Sequence, residues 1–134
     1  MNFRLIGWFS VALAALAILP FLVRVTNQKV FKSRSKTYFK VFKILRATHK
    51  VAGLLLAAVG LVHGFMALNG RVRLHTGTLV HLGFLVTAIL GITYYRKKNR
   101  TLFRVHKAMA LVSYLLLGLH LLQPWALGQW FGLW

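Results

Sequence analysis

Four stretches without Lys or Arg divide this chain: Leu5–Val23, Val51–Asn69, Leu74–Tyr95 and Ala108–Trp134. Each is about as long as a bilayer-spanning helix, which needs roughly 20 apolar residues at about 1.5 Å rise each. Inside hydrocarbon the backbone must satisfy its own hydrogen bonds, so such stretches fold as helices. We therefore expect an all-α integral membrane protein. It should be a single membrane domain over residues 1–134, with four transmembrane helices at about 5–24, 47–69, 75–96 and 103–122. Pro124 should end the fourth helix near Leu122. The first stretch also has features of a signal peptide, with small residues across Ala12–Ala17. Its apolar run of about 19 residues is long for that role, so a retained helix is expected.

Charge narrows the function classes. The chain has 18 Lys+Arg, no Asp or Glu and no Cys, for a formal charge of +18. Without carboxylates there is no Ser-His-Asp triad, no glycosidase pair and no EF-hand. Without cysteine there is no disulfide, thiolate zinc, iron–sulfur ligation or covalent c-type haem attachment. At 58% apolar residues it does not read as a nucleic-acid binder. Anionic lipid, cofactor anions or acidic partners suit the charge better.

The basic residues also set an expected orientation. Nine lie between Arg24 and Lys50, six between Arg96 and Lys107, and only Arg4, Arg71 and Arg73 fall on the opposite side. The positive-inside rule then places both long loops in the cytoplasm and both termini outside, in a bacterial cytoplasmic membrane. In the first loop, Phe31, Tyr38, Phe42 and Leu45 recur at helical spacing among Lys32, Lys36, Lys40 and Lys43. This pattern predicts an interfacial amphipathic helix at about residues 29–45, against the alternative of a solvated basic loop. In the tail, Trp125, Trp130 and Trp134 fit an outer aromatic belt or a surface for a partner subunit.

The chemistry lies in the histidines. His49 and His63 are 14 residues apart, and so are His106 and His120. Fourteen residues make about 3.9 helical turns, so each pair shares a helix face with about 21 Å between its members. The second and fourth helices run in the same direction. His49 and His106 thus fall at one depth, and His63 and His120 at another. Each level offers two imidazoles to one metal, the axial geometry of two b-type haems held between helices 2 and 4, non-covalent and bis-His. Bis-His ligation fills both axial positions and favours electron transfer. Unliganded membrane histidines that bond across helices are the alternative. Ala52, Gly53, Leu56 and Gly60 lie between the ligands on the second helix, where small residues let a flat macrocycle approach. Met109, Ala110, Ser113 and Leu117 occupy that place on the fourth. His49-Lys50-Val51-Ala52-Gly53-Leu54 is similar to His106-Lys107-Ala108-Met109-Ala110-Leu111, and Gly60 and Gly118 precede the second histidines. The chain reads as two similar hairpins.

These paired histidines resemble the four-helix dihaem core of respiratory cytochrome b, and the transmembrane domain of ferric reductases and NADPH oxidases. Leu45-Arg46-Ala47-Thr48-His49-Lys50 and Phe103-Arg104-Val105-His106-Lys107 are similar to helix starts in small bacterial members of that group. The resemblance covers roughly Leu45 to Leu122 and implies axial pairs His49/His106 and His63/His120. No flavin or nicotinamide domain and no quinol-site carboxylate is expected here, so catalysis at a quinone site is not implied.

Haem propionates pair well with basic side chains. Arg46, Lys50, Arg104 and Lys107 flank the inner pair, while Arg71 and Arg73 are nearest the outer one. Each is equally readable as a topology or snorkelling residue. His75 and His81 remain open as propionate partners, proton carriers for a quinone, substitute ligands or plain interfacial residues. His81 is the nearest substitute for His63. The expected function is transmembrane electron transfer by a subunit of an oxidoreductase complex, between a quinol or cytoplasmic donor and a redox partner protein. A haem-free membrane anchor or a pigment-binding antenna subunit is the alternative.

Overall fold

The computed structural model describes residues 2–71 and 74–132. Arg73 and Trp134, which carry expectations above, lie outside the described residues. Asn2 opens α1 (Phe3–Thr26), its side chain accepting from the Arg4 amide at 3.0 Å. α1 widens into a π-helical turn over Asn27–Phe31 and stops at Lys32, whose φ of 49° is left-handed. The Asn27 side chain closes this corner, accepting from the Ser33 amide at 3.0 Å and donating to the Ser33 carbonyl at 3.1 Å. Ser35 then caps the next helix by accepting from the Tyr38 amide.

That helix, α2 (Lys36–Ala67), is one unbroken element. The separate interfacial helix expected at about 29–45 is not formed. Residues 29–31 finish the first arm, and 36–45 are the opening turns of the long helix itself. The reason is local. No Gly or Pro interrupts the backbone ladder between Lys36 and Thr48. A change from a mixed to an apolar side-chain pattern does not break hydrogen bonds. With 32 residues, α2 is about 48 Å long, well beyond the ~30 Å hydrocarbon core.

α3 (Thr76–Lys97) is capped by His75 and ends at Lys98, whose φ is 53°. Asn99 caps α4 (Arg100–Leu122) by accepting from the Thr101 and Leu102 amides. α4 stops just before Pro124, which cannot donate to a further turn. A short α5 (Ala126–Phe131) follows.

The described residues are all helical or in short connections. α1 packs along α2 and α3 along α4, and α2 joins the two hairpins by packing on α3. α2 and α4 stay apart along most of their length. The core is thin: Leu13 and Ala14 of α1, Ala52 and Leu56 of α2, and Val80 and Phe84 of α3. Small residues set the closest approaches, as in membrane helix pairs generally. A Cβ on Gly83 would lie 2.7 Å from Ser113 Oγ. Across the bundle, the Tyr114 hydroxyl donates to the Ala14 carbonyl at 2.7 Å. The outer surfaces are apolar, with Leu5, Leu111 and Leu115 each about two-thirds exposed. All four long helices are long and apolar enough to cross a membrane.

Candidate functional site

His49 of α2 and His106 of α4 are neighbours, with ring centres 6.1 Å apart and planes at 88°. A nitrogen ligand sits about 2.0–2.1 Å from its metal, and the ring centre about 1.1 Å further. Two axial imidazoles on one metal would therefore have centres about 6.2 Å apart. The observed separation meets that requirement.

The second nitrogen of each ring is committed to the neighbouring helix of its own hairpin. His49 Nδ1–H donates to the Ala17 carbonyl at 2.6 Å, and His106 Nδ1–H to the Thr87 carbonyl at 2.9 Å. A carbonyl only accepts, so the proton is on Nδ1 and the Nε2 lone pair is free. Metal-bound histidines commonly have this arrangement, with the non-ligating N–H fixed by a carbonyl. Gly91 of α3 makes room for His106: a Cβ there would be 3.1 Å from Cε1.

The other end repeats the logic. His63 Nδ1–H donates to the Phe3 carbonyl at 2.9 Å, and its ring lies on Gly7, where a Cβ would be 2.8 Å from Cε1. His120 Nδ1 meets Thr76 Oγ1 at 2.9 Å. The Thr76 hydroxyl spends its own proton on the Pro124 carbonyl at 2.5 Å. Thr76 must then accept from His120 Nδ1–H, which again leaves Nε2 as the free lone pair. All four expected ligands thus share one tautomer, set by groups on α1 or α3.

His75 differs. It was read as a loop residue with a plain interfacial role among its options, yet it is only 8% exposed. Its ring stacks on His120 at 6.1 Å and 9°, and Trp125 packs edge-on against it at 6.1 Å. Its Nδ1 accepts from the Thr78 amide at 3.3 Å, so in the neutral ring the proton is on Nε2. Burial holds its pKa below the ordinary histidine value. His63 lies within electrostatic range of both His75 and His120. At the outer level His120 therefore has a second imidazole, His75, stacked against it.

Other expected site residues are placed differently. Gly60 gives room to His81, whose Nδ1 would lie 3.1 Å from a Cβ there. It does not line open space. Gly53 does, since a Cβ on it would meet nothing within 4 Å, and the same holds for Gly118. Ala52 and Leu56 are taken up in the core. Lys50 Nζ sits over the Tyr95 ring at 3.9 Å and Lys107 Nζ over Phe103 at 5.0 Å. Without carboxylates in the chain, aromatic faces are the anionic surface on offer to these cations. Arg46 and Arg104 are exposed beside them, and Arg71 is exposed at the other end.

Sequence reasoning missed Gly7, Gly77 and Gly91, which seat the rings of His63, His120 and His106. A signal existed. Gly77 and Gly91 are 14 residues apart, and they meet His120 and His106, which have the same spacing. Thr76 was missed as well, because its partner is 44 residues away.

The donor chemistry suits a metal already held in a macrocycle, which needs two axial ligands. Among the described residues no three ligating side chains gather as a bare ion would need. Comparison with family models, curated proteins and solved structures gave no match.

Proposed function

We propose that this chain is a dihaem membrane cytochrome b that carries electrons across a bacterial cytoplasmic membrane as a subunit of an oxidoreductase complex. His49 and His106 would hold the inner haem, and His63 and His120 the outer one. The observation that carries the reading is the inner pair: two rings, each with Nδ1 bonded to a carbonyl and its Nε2 lone pair free, with centres at a separation that suits one shared metal. The common tautomer of all four histidines supports extending it to the outer level. Haem, when bound, supplies one-electron exchange at its iron. The chain's own part is to orient the imidazoles through α1 and α3 and to hold the two levels about 21 Å apart along the helices. The open space at Gly53 is where α2 admits a macrocycle. Arg46, Lys50, Arg104 and Lys107 are the inner groups available to propionates, with Lys50 and Lys107 leaving their aromatic partners to reach them. The donor is a quinol or a cytoplasmic protein, and the acceptor a redox partner on the other side.

The test is the reduced-minus-oxidised absorption spectrum of protein purified from haem-replete cells, with the pigment extracted and counted. Two low-spin b haems per chain are expected. A colourless protein overturns the proposal. His49→Ala and His106→Ala should each leave one haem, the same one in both variants. Retention of different haems by the two would contradict the pairing.

A further inference from the structure

The outer level holds one imidazole more than a ligand pair needs. His75 precedes α3 yet is buried, packed between the His120 and Trp125 rings. Its Nδ1 is occupied as an acceptor by the Thr78 amide, the reverse of the arrangement at the four ligands. Coordination through Nε2 would require His75 to give up that bond or to lose its only ring proton. The ring is therefore built to donate from Nε2–H, and this atom has no hydrogen-bond partner among the described residues. No enclosed side-chain nitrogen or oxygen among the described residues lacks a partner, so this Nε2–H is reachable from outside the fold and open to an acceptor that a ligand brings. The chain supplies no Asp or Glu to serve as one.

We infer that His75 is the hydrogen-bond donor to a propionate carboxylate of the group held by His63 and His120, making it a positioning residue and not a ligand. This rests on the haem reading above. A charge-assisted bond of this kind fixes the rotation of the macrocycle about its axial bonds. It also places a neutral donor, in place of an arginine, beside the outer carboxylate. The second nitrogen is held by the helix cap, so α3 itself sets the direction of the donor.

The absence of Asp and Glu makes the test unusually clean. Redox difference infrared spectra of the loaded protein have no background from acidic side chains, and carbon-13 in the propionates identifies their bands. Wild type, His75→Phe and His75→Gln are compared after loading with the labelled cofactor. His75→Phe keeps a ring against His120 and removes the donor; it should retain two bis-His haems and shift the carboxylate bands of one. His75→Gln, whose amide can donate, should restore those bands at least in part. Unchanged bands in His75→Phe overturn the inference and leave the haem reading intact. Loss of one haem, or of its low-spin signature, in both variants overturns it by making His75 a ligand. Wild type without haem overturns both.

Discussion

An imidazole has two nitrogens, and a neutral ring has one proton to place between them, so its chemistry is decided by whatever meets Nδ1. In this chain four rings meet an acceptor there and His75 meets a donor. The glycines beneath the rings keep that geometry. A Cβ at Gly77 would come within 2.6 Å of His75 and 2.9 Å of His120, while one at Gly91 would stand 3.1 Å from His106. Gly77→Ala should therefore lower occupancy of the outer haem and cost about 1–3 kcal/mol through overpacking. Gly91→Ala should weaken the inner site by less. Titration of each apoprotein with haem, followed in the Soret band, checks both. Gly53→Leu gives the converse result: the apoprotein keeps its helical content and melting temperature, and haem retention falls. If haem retention in Gly53→Leu matches the wild type, the macrocycle does not approach α2 there.

Each hairpin sets a histidine-bearing helix against a second helix that orients its rings. α1 and α3 supply the acceptors, and α2 and α4 supply the rings. The hairpins are tied together by few contacts, of which the Tyr114 hydroxyl to the Ala14 carbonyl is the longest in sequence. Tyr114→Phe should lower stability by about 1 kcal/mol, the usual worth of one such bond, with the ring packing against Phe84 retained. Thermal unfolding in detergent measures it; no change would mean that the bond is replaced by another. At this scale the sequence was legible in part. Helix number and the stop before Pro124 follow from apolar runs and a missing N–H. The continuity of α2 from Lys36 was not legible, because a shift in side-chain pattern looks like a boundary while the backbone ladder ignores it.

For the whole molecule, charge and topology are one problem. Fifteen of the 18 cations flank the end of the bundle where His49 and His106 meet, and among the other described ones Arg4 and Arg71 lie toward the other end. With no acid in the chain, none of them can be neutralised by a carboxylate side chain. Two haems would bring up to four propionates and leave about +14, still concentrated at one face. We expect reporters fused at residues 33 and 98 to report the cytoplasm and one at residue 70 to report the outside. The reverse pattern would exchange the inner and outer levels and leave the ligand pairs as they are.

Composition and spacing alone determined four helices, because a backbone in hydrocarbon must bond to itself, and two histidine pairs, because 14 residues return to the same helix face. The similarity of His49–Leu54 to His106–Leu111 also reads as two similar hairpins. Only the tertiary structure decided which nitrogen of each ring is free, since the acceptors for His49, His63 and His120 lie 32, 60 and 44 residues away in sequence. It also decided that His75 is buried beside His120, that Gly60 serves His81, and that Lys50 and Lys107 rest on aromatic rings. These outcomes depend on which helix stands opposite at a given depth, and no local pattern of residues carries that information.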